Sequence, residues 1–80
     1  MTEYVDLVIS PENRLPVLRV LDNWEDEQEE RYVHTVGNES AAVVIYDFLV
    51  GALSRLKEHR IPFETRPCDP KRPPPVRLPL

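Results

Sequence analysis

Cysteine is nearly missing from this chain. Of 80 residues only Cys68 carries a thiol, so no disulfide can close within it. Glycine is almost as scarce, at two residues. That excludes a glycine-rich loop that would cradle a phosphate. The two histidines, His34 and His59, fall on different predicted elements, and no Cys/His set has metal-ligand spacing. Long hydrophobic runs are lacking too. The longest, Ala41 to Leu53, is interrupted by Asp47 and is too short to span a bilayer. The opening MTEYVDLVIS has no basic segment before its apolar residues, unlike a secretory signal. A cytoplasmic location is therefore expected, and a lone thiol suits a reducing compartment. Without staples, stability has to come from packing, either within the chain or against a second copy or a partner.

Charge and proline are plentiful, and both are clustered. Residues 22–30, DNWEDEQEE, place Asp22, Glu25, Asp26, Glu27, Glu29 and Glu30 around the single Trp24. Residues 67–80, PCDPKRPPPVRLPL, hold most of the prolines and three basic side chains. The net charge of −4 combines an acidic body with a basic end. An acidic body speaks against broad contact with a nucleic-acid backbone, which needs clustered cations. It suits a partner with a basic surface.

Residues 3–9 alternate, with Val5, Leu7 and Ile9 on one side, and are expected to form a strand. Ser10-Pro11-Glu12-Asn13 reads as a turn. Residues 17–21 and 31–36 read as two further strands, joined by the acidic segment as a long loop. Asn38 or Ser40 is expected to cap a helix running to about Arg60, where Lys57, His59 and Arg60 suit the negative end and Pro62 ends it. Residues 63–66 read as a short last strand. The expected fold is α+β: a small antiparallel sheet in the order β-β-β-α-β, with one long helix across one face. Residues 1–66 form the single domain and residues 67–80 a proline-rich extended tail.

On that helix Ile45, Leu49, Leu53 and Leu56 would face the sheet, leaving Val43, Tyr46 and Val50 as a surplus apolar flank. Such a flank covers itself with another part of the chain, a second copy or a different protein. In the tail, Pro67, Pro70, Pro73, Val76 and Pro79 recur every third residue, the ridge of a polyproline II helix. The stretch from Pro67 to Arg72 matches a PxxP-basic ligand. The tail reads first as a loose end; the alternative is an arm that packs on a neighbour, to which the apolar finish of Val76, Leu78 and Leu80 lends weight.

Catalytic signals are sparse. His59 reads as a helix-terminal cation and His34 as a strand-surface residue. Cys68 has only Lys71 and Arg72 nearby to activate it. The acidic segment lacks the alternating ligands and central glycine of a calcium loop, so neither metal nor cofactor is expected. The sequence points to a non-enzymatic protein–protein interaction module: an accessory subunit, adaptor or inhibitor. Trp24, Glu25, Asp26, Glu27, Glu29 and Glu30 would meet a basic partner surface. The flank of Val43, Tyr46 and Val50, or the tail around Pro70 and Pro73, would add apolar contact. Two rivals are an acidic inhibitor that imitates nucleic acid, and a structural homodimer that exchanges its tail.

Overall fold

The computed structural model describes residues 3–78. Strand β1 spans Tyr4–Ile9 and a short 3-10 turn spans Pro11–Asn13. Helix α1 spans Arg14–Gln28. Strands β2 (Arg31–Tyr32), β3 (Thr35–Glu39) and β4 (Ala42–Leu49) follow, then a 3-10 turn (Val50–Ala52) and helix α2 (Leu53–Glu58). Strands β5 (Glu64–Arg66) and β6 (Arg77–Leu78) complete the chain. The main sheet has the order β3-β4-β1-β5 and every neighbouring pair is antiparallel. Strands β2 and β6 form a separate two-stranded ribbon. Leaving the ribbon aside, the chain runs β-α-β-β-α-β through two interlocked split βαβ units, the ferredoxin-like order. The expectation of an α+β protein with an antiparallel sheet holds, as do the first strand and the last short strand before the tail.

Two expected elements are corrected. Residues 17–21 are helical, and residues 22–28 of the acidic segment are the last two turns of α1 rather than a loop. Val17, Val20, Leu21 and Trp24 recur at helical spacing and face the core. Pro16 lies in the first turn of α1, where an N–H has no helical partner to lose. The second correction is the helix expected from residue 38 or 40 to about Arg60. Residues 42–49 are a strand, because the β-branched run Val43-Val44-Ile45 resists helical rotamers and is buried on both faces. Only Leu53–Glu58 is α-helical. Ser40 caps no helix. It occupies the first central position of the two-residue β3–β4 turn, with φ of 55°. The strand expected over 31–36 is divided between β2 and β3.

One face of the sheet meets the helices. Leu7, Ile9, Val43, Ile45 and Phe48 pack there against Val17, Leu21, Ala52 and Leu56. Midway along β4 an extra residue interrupts the ladder. Val5 pairs with Phe48 and Leu7 with Ile45, so Asp6 stands opposite both Tyr46 and Asp47. Asp47 takes a positive φ of 56° at this bulge, a conformation that Asp tolerates better than most residues. The bulge matters because it gathers polar groups on the sheet's other face.

Candidate interaction surface

The open face of the sheet carries a charged cluster held by the C-terminal segment. Asp6 is buried, and the backbone N–H of Asp47 donates to its Oδ1 at 3.2 Å. Arg72 donates to both Asp6 oxygens, Nη1 to Oδ1 at 2.8 Å and Nη2 to Oδ2 at 3.1 Å. The same Nη1 reaches Asp47 Oδ1 at 3.0 Å, and the guanidinium lies 4.7 Å from the Tyr46 ring centroid. Burial pushes the Asp6 carboxyl upward, but Arg72 and the Asp47 N–H outweigh it, and the net shift is below the ordinary carboxylate range.

Cys68 sits beside this pair. Its ligand atom and those of Asp6 and Asp47 lie within 4.8 Å of one another, a spacing that could hold a metal ion. The cation already seated on both carboxylates is the Arg72 guanidinium. Burial and then Asp47 push the thiol up to about 12, so it stays protonated. Lys71 and Arg72 are the only neighbours in sequence that could lower it; burial and the two carboxylates act the other way. Further along the face, Tyr46 donates its hydroxyl to Glu39 Oε2 at 2.6 Å, and Arg66 reaches Glu39 from the opposite edge at 3.0 Å. The Tyr46 ring can lean across β3 because residue 37 is glycine. A Cβ there would meet the ring at 2.9 Å.

The acidic end of α1 forms the second region. Its carboxylates gather where the helix dipole is negative, an arrangement that needs compensation. Arginines from three other elements supply it: Arg31 pairs with Asp26, Arg55 with Glu27, and Arg77 with Glu30 at 2.5 Å. Glu25 is only 2% exposed. Its Oε2 accepts the Tyr32 N–H at 2.7 Å, and its Oε1 lies 3.7 Å from Nε2 of His34. His34 is half-buried, and both its ring nitrogens are buried without a hydrogen-bond partner, so it is not the strand-surface residue expected. Among the described residues Asp22 and Glu29 take part in no salt bridge.

The ribbon lies next to this helix end. Arg31 pairs with Leu78 and Tyr32 with Arg77 in register, and the Val33 N–H donates to the Val76 carbonyl at 2.8 Å. The Tyr32 ring meets Tyr4 of β1 edge to face at 6.3 Å, which ties the ribbon to the sheet. Val33, Val76 and Leu78 remain 51%, 61% and 44% exposed. The arm therefore packs on its own chain. Between Asp69 and Arg72 a turn, closed by Arg72 N–H to Asp69 C=O at 3.0 Å, breaks the expected proline ridge after Pro70. Pro70, inside the turn, and Pro73, just after it, are both exposed. Pro79 and Leu80 lie outside the described residues.

The flank expected from Val43, Tyr46 and Val50 is not one surface. Val43 is 3% exposed on the core face, Tyr46 lies on the open face, and Val50 is in the turn after β4. On a strand, residues three apart point opposite ways, whereas on a helix they share a side. Trp24 is half-buried, and its ring lies over Gly51, where a Cβ would meet it at 2.8 Å. Val50 precedes that glycine in the chain and is 37% exposed. Sequence reasoning passed over Asp6, Asp47 and Val33. Two lone aspartates, each inside an apolar stretch, were the available sign of a shared buried partner. In comparisons with known proteins the chain matches no family, no curated protein and no solved structure.

Proposed function

We propose that this chain is a small non-enzymatic interaction module, an accessory subunit, adaptor or inhibitor. It grips a partner protein with the β2–β6 ribbon and the neighbouring acidic end of α1. The observation that carries this reading is the grouping of exposed Val33, Val76 and Leu78 on one ribbon beside Asp26, Glu29 and Glu30. An apolar centre with a charged rim is the usual anatomy of a protein interface. The rim combines Glu29, which is in no salt bridge among the described residues, with the exposed Asp26–Arg31 and Glu30–Arg77 pairs, so the partner presents a cation facing Glu29 and mixed charge around an apolar patch. Trp24, half-buried over Gly51, and the exposed Val50 are further candidate contacts. The reading places the protein in the cytoplasm, where an unpaired Cys68 stays reduced.

Imitation of nucleic acid is less well supported. Asp26, Glu27 and Glu30 already hold arginines of the same chain, which leaves few bare carboxylates to stand in for phosphates.

Capture from the native host's lysate tests the proposal. The full chain is expected to retain a partner that Val76→Asp releases, and that about 1 M salt weakens by screening. Identical retention by the wild-type chain and Val76→Asp would remove the ribbon from the account.

A further inference from the structure

The two edges of the main sheet are built differently. The β5 edge is guarded: it is three residues long, charged at Glu64 and Arg66, and closed at both ends by Pro62 and Pro67. The β3 edge has none of these devices. It is five residues long, contains no proline, and has no charge before Glu39, whose carboxylate is held by Arg66 and Tyr46. No strand of the described chain pairs with its outer side. The Ser40–Ala41 turn makes Glu39 and Ala42 the closing hydrogen-bonded pair. Alternation then turns the N–H and C=O groups of Val36 and Asn38 away from β4.

We propose that β3 pairs antiparallel with β3 of a second copy about a two-fold axis at Gly37, joining two four-stranded sheets into one of eight. Centring on Gly37 sets Val36 opposite Asn38 of the second copy, and the reverse, so all four outward backbone groups on each strand find partners. Gly37 meets Gly37 on the axis, where neither has a side chain to collide. Each ring of Tyr46 stays over its own glycine. Thr35 falls opposite Glu39 of the second copy, so no like charges oppose each other and a hydroxyl faces a carboxylate twice. The contact is isologous, as a two-fold dimer requires. Because it is confined to one short edge, it is a weak dimer, half-formed at about 0.1 mM. It uses neither the ribbon nor the acidic helix end and stands whether or not those bind a partner.

Sedimentation equilibrium of the full chain up to about 1 mM tests it. The mass is expected to rise toward twice the monomer value, and the amides of Val36 and Asn38 to gain exchange protection as concentration increases. Asn38→Pro removes an outward N–H without touching the β3–β4 ladder and is expected to stay monomeric. Thr35 is exposed, so its variants keep the fold whatever becomes of Asn38→Pro. Thr35→Lys opposes Glu39 and should tighten the dimer by about threefold or more, while Thr35→Glu should loosen it by a similar factor. A chain that stays monomeric at the highest concentration overturns the proposal. So does a dimer indifferent to both Thr35 variants, or a folded Asn38→Pro that still dimerises.

Discussion

Asp6 is the residue on which the C-terminal segment depends. A carboxylate this deep in a sheet face is tolerated because Arg72 satisfies both its oxygens and the Asp47 N–H satisfies one again. Arg72→Ala leaves that charge buried without a cation and is expected to cost about 3 kcal/mol in denaturant unfolding. The pH dependence follows in sign. The folded Asp6 and Glu39 carboxyls hold protons less readily than unfolded ones, Asp6 chiefly through Arg72 once burial is overcome, and Glu39 through Arg66. Their contribution is complete above about pH 5, beyond the unfolded carboxyl values, and is lost as the pH falls through the folded values. Thermal melts should therefore show a drop that begins below about pH 5 and that Arg72→Ala flattens. Cys68 behaves oppositely. With its thiol pushed up to about 12, reaction with a disulfide reagent at about pH 8 should be a hundredfold or more slower in the folded chain than in the denatured one. Equal rates would show that the thiol does not sit between the two carboxylates.

At the scale of elements, both helices end without glycine. Glu29 takes φ of 57° after α1, with Glu30 N–H bonding back to Glu25 C=O at 3.1 Å. Arg60 does the same after α2, with Ile61 N–H reaching Leu56 C=O at 3.0 Å. These are Schellman closures on residues that pay a steric penalty for the left-handed conformation. Glu29→Gly and Arg60→Gly are each expected to stabilise the chain by about 0.5–1 kcal/mol, which a melt reads as a rise of a few degrees. The scarcity of glycine also explains why the helix ends were hard to read in the sequence. β1 and β5 were legible because alternation and flanking prolines are local signals. Helix α1 was not, since Leu18 and Val20 around Arg19 also fit a strand. Its acidic end looked like a loop because the compensating arginines, Arg31, Arg55 and Arg77, come from three other elements. For residues 42–49, apolar spacing alone admits helix or strand, and the β-branched run decides it. The candidate surface was half visible. Trp24, Val76 and Leu78 stood out by type, whereas the burial of Glu25 and Val43 depends on contacts made at a distance in sequence.

For the whole molecule, the C-terminal third closes the structure at two points on different sides. Arg72 reaches the open face of the sheet, and Arg77 with Leu78 completes the ribbon against β2. Among the described residues no helix is long and apolar enough to cross a membrane. A split βαβ order does not by itself assign an activity; what distinguishes this chain is the added ribbon and the apolar side chains it turns outward. Residues 73–78 belong to the fold and shape that surface. Hydrogen exchange at the Val33 amide, which donates to Val76, reports on this. Slow exchange in the wild-type chain, accelerated at least tenfold by Arg77→Ala or Arg72→Ala, is the expected result at about 1.4 kcal/mol per tenfold. Exchange at the rate of an unstructured chain in the wild type would contradict it.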